Sequence, residues 1–374
     1  MKKIMILYTS VGGGHYRAAE GVKNYLEKYY KEETQILLVD GLNYVNKAVD
    51  RIVISSYVNM ARYSPRTWSK IYKMGEDHNS LAQFSNGIQK ILSHKLSELF
   101  EEFKPDIVVS THYFLTEMVA CLIRKNKTNA RLAVILTDYA PHKFWETSSE
   151  CVNLYFVANE QMKYILKNDG IEASKIHVTG IPVREDFLKK YDINSIKEEL
   201  KLDLNKKTFL IFGGGQYGMS NISLIFKQLL NVNDDIQIVF IAGKSQSLQK
   251  KINKLCEMTS KKVVVLGYTN RVAELMAIAD FVISKPGGLT TTEVLTMQVP
   301  FIVINPVPGQ EEENSIFLTN NGAAIRLYDT KNATPIFEQL IKDDFRIEQM
   351  KIMQKHIAKP DSTKNIVEIL LNYQ

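Results

Sequence analysis

The sequence predicts an α/β protein made of two Rossmann-like domains, and three observations predict it. The chain opens with an apolar run, Ile4–Tyr8, that meets Gly12-Gly13-Gly14 and then a helical pattern to about Tyr30. The same grammar returns at Thr208–Phe212, Gly213-Gly214-Gly215 and a helix from about Ser220. Between them a polar, helical stretch near Phe187–Leu202 reads as a linker. Strands that alternate with helices build parallel sheets, because a parallel neighbour is reached only by a long crossover. At 374 residues the chain also exceeds one ordinary core.

The elements follow in order. After Ile4–Tyr8 a second strand, Gln35–Val39, ends at Asp40 and completes a βαβ opening. Residues 44–103 read as mostly helical, with Ser64-Pro65 as a break and restart. Strands are expected at Ile107–Ser110, Arg131–Leu136 and Leu154–Val157, with a helix between the first two, then a helix Glu160–Asn168, a strand Lys175–Val178 and the turn Gly180-Ile181-Pro182. In the second half, strands are expected at Ile236–Ala242, Val263–Leu266, Phe281–Ser284 and Pro300–Asn305, with a helix Val272–Ala279 and a threonine-rich helix start after Gly287-Gly288. Helices around Ile336–Ile341, Arg346–Ala358 and Lys364–Leu371 close the chain. The expected division is 1–188, 189–355 and a final helical segment 356–374.

Composition bounds the function. The chain is 45% hydrophobic and 24% charged, which is globular, and it has no run of about 18 apolar residues to span a bilayer. The apolar start meets its glycines too early for a signal peptide. Cys121, Cys151 and Cys256 lie far apart with no CxxC spacing, which points away from a disulfide framework or zinc site and towards a reducing compartment. The net charge of +6 is uneven: Tyr44–Lys73 carries Lys47, Arg51, Arg62, Arg66, Lys70 and Lys73 against Asp50 alone, among Tyr44, Tyr57, Tyr63, Trp68 and Tyr72. Such a stretch is either a solvated helix face or an interfacial surface for anionic lipid. At roughly 1 kcal/mol per basic residue the lipid attraction reaches about 5 kcal/mol, so aromatic insertion or a lipid substrate would have to add to it. Nucleic acid is disfavoured, since no recognition motif accompanies this modest excess.

The candidate site residues sit where strands end. In an open parallel sheet, ligands bind outside the carboxyl ends of the strands. Gly214, Gly215, Gly287 and Gly288 let the backbone approach a diphosphate, and the helix start at Gly288-Leu289-Thr290 offers free N–H groups to it. Glu293, about one and a half turns into that helix, is placed to chelate a ribose diol, and Gln310 and Glu311 in the polar turn after Pro308 to hold further hydroxyls. Together these describe a nucleotide sugar. Gly213-x-Gly215-x-x-Gly218 also fits a dinucleotide fingerprint, but that motif wants an acid ending the second strand, whereas Asp234 and Asp235 precede it. Gly14 and His15 lie at the lip of the first strand–helix turn, where an imidazole suits proton removal from a hydroxyl or, more plainly, a backbone bond at a helix start. Asp138 is a second base candidate or a loop anchor. No DxD pair and no clustered His/Cys set supports a metal, so no metal cofactor is expected.

The combination GGGHYRAA (Gly12–Ala19), TDYAPHKFW (Thr137–Trp145), TGIPVR (Thr179–Arg184), KPGGLTTTE (Lys285–Glu293) and PGQEEEN (Pro308–Asn314) resembles the diacylglycerol glycosyltransferases of GT-B fold, from Ile4 to the C-terminal helices. These are the processive glucosyltransferases of bacteria and the monogalactosyldiacylglycerol synthases of plants. The resemblance implies two Rossmann-like domains facing a cleft, with the last helix crossing back to the first. It also implies inverting, metal-free transfer of glucose or galactose from a UDP-sugar to the free hydroxyl of diacylglycerol, at the inner face of the cell membrane. By that analogy Glu293 holds the ribose, Gly267-Tyr268 meets the uracil, Gln310 and Glu311 hold the sugar, and His15 is the base with Asp138 in reserve. His142 and Trp145 would lie on the acceptor side, with Arg62, Arg66, Trp68 and Lys70 towards the membrane. The glycine loop looks plant-like and TDYAPHKFW bacterial, which leaves glucose or galactose, and processivity, open. A UDP-N-acetylglucosamine 2-epimerase of the same plan and a non-catalytic sugar-nucleotide binder are the alternatives.

Overall fold

The structure is a computed structural model that describes residues 1–10, 13–45, 95–214 and 221–373. The chain divides into two compact units, the first comprising Met1–Arg184, Pro308–Gln310 and Lys359–Gln374 and the second Glu185–Val307 and Glu311–Ala358.

The first unit holds a six-stranded parallel sheet of β1 (Lys2–Tyr8), β2 (Thr34–Asp40), β3 (Ile107–Ser110), β4 (Arg131–Ile135), β5 (Val152–Val157) and β6 (Ile176–Val178), in the order β2-β1-β3-β4-β5-β6. Every residue of β3 is buried, as a parallel strand covered on both faces requires. Helix Gly14–Tyr29 presents Ala19, Val22 and Leu26 to Ile4 and Ile6 of the sheet, and the final helix Ser362–Asn372 adds Ile366, Val367 and Leu370 to the same cluster, all fully buried. At ~1.5–3 kcal/mol per buried aliphatic side chain, those three alone contribute roughly 5–8 kcal/mol as an upper bound.

The last helix is also seated by polar contacts. The Thr363 hydroxyl donates to the Val183 carbonyl at 2.7 Å, and the Val183 N–H donates to Ser362 Oγ at 3.2 Å. Gly180, at φ +88°, has no room for a side chain, because a Cβ there would lie 2.5 Å from Lys359 Cβ. The segment Thr179–Arg184 is therefore the seat of the returning chain. Arg131 donates to the Tyr373 carbonyl at 2.5 Å, and Lys2 donates to that of Leu371.

The second unit holds β7 (Lys207–Phe212), β8 (Ile236–Ile241), β9 (Lys262–Leu266), β10 (Phe281–Ser284), β11 (Phe301–Ile304) and β12 (Ile325–Leu327), all parallel, in the order β12-β11-β10-β7-β8-β9. Its core stacks Phe209 on Phe281 (centroids 4.6 Å apart), with Phe226, Phe240 and Phe337 around them. Gly213 packs rather than flexes, since a Cβ there would meet Leu248 Cδ2 at 2.7 Å and the Ile241 carbonyl at 2.9 Å.

Among the described residues, the elements not expected from the sequence include helix Gln246–Cys256, helix Gln310–Asn320 and strand β12. The linker region is a 3₁₀ turn, Glu185–Leu188, followed by a helix Ile193–Glu199 whose cap, Asp192, accepts from the Ser195 N–H at 3.1 Å. Most of the basic, aromatic stretch Tyr44–Lys73, with Arg62, Arg66, Trp68 and Lys70, lies outside the described residues, as do Gly12, Gly215 and Gly218. Among the described residues no helix is long and apolar enough to cross a membrane.

Candidate functional site

Strand order locates the sites. In each sheet the first strand in sequence lies inside the sheet, so its two neighbours are reached by chain running in opposite directions. Ligands gather at such switch points, outside the carboxyl ends of the two strands. In the first unit the switch point lies between β1 and β3, and in the second between β7 and β10. His15 follows β1 and Thr111-His112 follow β3. Gly213-Gly214 follow β7 and Pro286-Gly287-Gly288 follow β10.

The helix after β1 begins at Gly14, two residues earlier than expected, so Gly14 and His15 form its first turn. His15 is half-buried, and its Nδ1 lies 2.6 Å from the Thr111 carbonyl and 3.2 Å from Thr137 Oγ1. A carbonyl only accepts, so Nδ1 carries the proton and the lone pair is on Nε2. The backbone bond expected of a helix-start histidine is thus made, and it leaves Nε2 able to accept a proton. Burial lowers the His15 pKa to about 4, against the opposing pull of the Thr111 carbonyl, so the ring is neutral at physiological pH.

Around it stands an aromatic cluster that the sequence did not reveal. His112 meets His15 edge-to-face with centroids 4.7 Å apart, and stacks on Tyr113 at 4.6 Å. Tyr113 stacks in turn on Phe144 at 4.6 Å and meets His142 edge-on at 5.4 Å. Burial pushes the Tyr113 hydroxyl up to about 12 and lowers His142 to about 3, and it holds His112 well below the usual imidazole range, with repulsion from His15 and His142 adding to it. Trp145 is 4% exposed and lies against His142 and Tyr113, so its indole builds the wall of this cluster. Asp138 is half-buried in the loop after β4. Behind the loop, Lys143 bridges Asp169 at 2.7 Å and Glu146 at 3.4 Å; burial and the Asp169 charge raise Glu146 to about 7 despite Lys143.

In the second unit, helix Gly288–Met297 starts from Gly287 with no side chain capping it, so the first-turn N–H groups of Gly288, Leu289 and Thr290 are presented to the switch point. Glu293 is half-buried one turn further in. Asn314 donates to the Pro286 carbonyl at 3.0 Å and ties this turn to the next helix. Glu311 accepts from the Val307 N–H at 2.7 Å and lies 4.0 Å from Lys285, a cation that sequence spacing alone does not connect to it. Burial raises the Glu311 pKa, opposed by Lys285 and the Val307 N–H. Gln310 is grouped with the first unit and Glu311 with the second. Gly267 and Tyr268 follow β9, at the edge of the sheet; Tyr268 is 58% exposed and Lys244 lies over its ring at 5.4 Å. Gly214, the second residue after β7, takes φ +96°. Among the described residues no group of three or more His, Cys, Asp or Glu is arranged to hold a metal ion.

Residues 15–183 match the family model of monogalactosyldiacylglycerol (MGDG) synthase, and residues 208–368 match that of the glycosyltransferase family 28 C-terminal domain. The processive diacylglycerol beta-glucosyltransferase of Bacillus cereus (strain AH187) is 29% identical over 385 residues, covering 99% of this chain and 93% of the relative; that of Bacillus thuringiensis (strain Al Hakam) matches with the same identity and coverage. Among solved structures, Acinetobacter baumannii MurG superposes with a TM-score of 0.68 at 16% identity over 99% of both chains. UDP-GlcNAc 2-epimerase from Neisseria meningitidis, bound to UDP-GlcNAc, superposes with 0.65 at 19% identity over 99% of this chain and 100% of the other. Likeness at that identity carries the fold and no more. The sequence matches go further, because they run through both sheets and through the turns at both switch points, and on that ground the chain belongs to the diacylglycerol glycosyltransferase family of GT-B fold.

Proposed function

We propose that this protein transfers a hexose, glucose or galactose, from a UDP-sugar to the free hydroxyl of diacylglycerol, with inversion at the anomeric carbon. The observation that carries the reading is the 29% identity, over 99% of the chain, to processive diacylglycerol beta-glucosyltransferases. The 2-epimerase alternative shares the fold, but the Neisseria meningitidis 2-epimerase is 19% identical, against 29% for the diacylglycerol glucosyltransferase.

The chemistry assigned to the residues is a single in-line displacement. His15 Nε2 takes the hydroxyl proton, the glycerol oxygen forms its bond to the anomeric carbon, and the bond to the diphosphate breaks with its electron pair leaving on UDP. The uncapped N–H groups at Gly288-Leu289-Thr290, with Gly214, Gly215 and Gly287, receive that negative charge, as helix N-termini do for anions. Glu293 holds the ribose, Gly267-Tyr268 the uracil, and Gln310 and Glu311 the sugar hydroxyls. Asp138 is the reserve base. No metal is assigned a part, so chelator should leave the rate unchanged. The basic excess in Tyr44–Lys73 supports an anionic membrane surface as partner and a peripheral place on the inner face of the cell membrane.

The test mixes the protein with diacylglycerol, anionic lipid and individual UDP-sugars and identifies lipid products by mass spectrometry. A hexosyl-diacylglycerol from one donor is the expected result. Consumption of a UDP-sugar with only an epimer or free sugar formed would overturn it.

A further inference from the structure

Two histidines at the first switch point are held in opposite tautomers. His15 donates through Nδ1 to the Thr111 carbonyl, which leaves a lone pair on Nε2. His112 is the cap of helix Tyr113–Arg124, and its Nδ1 accepts from the Phe114 N–H at 3.2 Å. A backbone N–H only donates, so in the neutral ring the His112 proton sits on Nε2. Burial and the adjoining helix N-terminus both keep that ring neutral. Among the described residues neither Nε2 has a hydrogen-bond partner, and with ring centroids 4.7 Å apart one short segment of a bound molecule can reach both. The two adjoining rings thus supply one acceptor and one donor.

We propose that His112 is a catalytic residue that reads the acceptor lipid: while His15 Nε2 accepts the attacking hydroxyl's proton, His112 Nε2–H donates to the carbonyl oxygen of the acyl ester on the neighbouring glycerol carbon. This rests on the function proposed above and adds a substrate rule to it. The acceptor hydroxyl must stand next to an ester. An ether oxygen at that position accepts more weakly and gains little from the donor.

Two substitutions separate this role from helix capping. His112→Asn keeps a cap acceptor close to the position of Nδ1 but lacks the outer donor; His112→Gln reaches the outer position with an N–H but forfeits the cap. Steady-state rates are measured with 1,2-diacylglycerol and with 1-acyl-2-alkylglycerol in mixed micelles, alongside melting curves. We expect wild type to prefer the 2-acyl acceptor by 10- to 100-fold in kcat/KM. His112→Asn should melt as wild type, lose 10- to 100-fold on the 2-acyl acceptor and show no preference. His112→Gln should melt lower yet keep more of the rate. Full activity with intact preference in His112→Asn would reduce His112 to a cap and overturn the proposal. So would a wild type indifferent to the two acceptors, a comparison that needs no variant to fold. If wild type glycosylates neither lipid, the parent function falls and His112's role with it.

Discussion

The half-buried, neutral state of His15 makes the pH dependence of the reaction its most direct test. An ordinary imidazole titrates near 6.5, so at pH 5.5 only about a tenth of a base with that pKa would be in its reactive form. With the His15 pKa near 4, nearly all of it would be. The acid limb of kcat/KM, which reports the free enzyme, should therefore fall near pH 4 rather than near 6.5. Stability must be followed in parallel. His15, His112 and His142 all have folded-state pKa values below their unfolded ones, so the unfolded chain takes up protons first and stability declines as pH falls from about 6.5 towards 4. For His15 the nominal shift is worth ~3 kcal/mol, which its remaining solvent contact reduces to roughly 1–2. Glu146 acts oppositely: its raised carboxyl contributes stability below about pH 4.5 that is lost as pH rises through about 7. The assay is kcat/KM between pH 4 and 8.5 with a melting curve at each point. An acid limb at 6–6.5 in protein whose melting temperature has not moved would refute the neutral, desolvated His15, and a His15→Gln protein turning over at the wild-type rate would remove it as the base altogether.

Other expectations can be checked more simply. Glu293→Ala removes the assigned ribose contact, and at ~1.5–3 kcal/mol for hydrogen bonds to a charged group, UDP affinity measured by calorimetry should weaken about 10- to 100-fold; unchanged affinity contradicts the assignment. Gly180→Ala must place a Cβ 2.5 Å from Lys359 Cβ at φ +88°, for a cost of roughly 2–4 kcal/mol, and limited proteolysis should release the C-terminal helix sooner than in wild type. Glu146→Gln mimics the protonated carboxyl, so melting temperatures should match wild type at pH 5 and exceed it at pH 8.5, while equal curves at both would mean that Glu146 ionises normally.

Much of the fold was legible because buried parallel strands leave a plain trace. Ile107–Ser110 and Phe281–Ser284 lie in the structure where their apolar runs put them, and the repeated strand–glycine–helix pattern marks β1 and β7. What escaped had weaker periodicity. Helix Gln310–Asn320 spreads Ile316, Phe317 and Leu318 around its circumference, so neither helical nor strand spacing stands out. β12 is three residues long and gains its place only by pairing Ile325 with Ile302 and Leu327 with Ile304 of β11. No local signal in Ile325–Leu327 announces that partner. The glycines also divided in a way that spacing could not foresee: Gly213 is demanded by packing against Ile241 and Leu248, Gly214 by its backbone angle.

The site shows the same limit at the level of single atoms. His15 could be nominated from the rule that function gathers at strand ends, and the same rule applied to Thr111-His112 after β3 would have nominated His112. What no rule of spacing supplies is which nitrogen holds the proton. That is decided by a carbonyl 96 residues away for His15 and by an amide two residues on for His112. The first contact exists only because β1 and β3 are neighbours in the sheet, so the tautomer of the proposed base is a consequence of strand order. A substitution that shifted β3 by one residue against β1 would carry the Thr111 carbonyl away from Nδ1. The ring could then turn over or exchange its proton, and on the proposed mechanism activity should fall with every site residue still in the sequence.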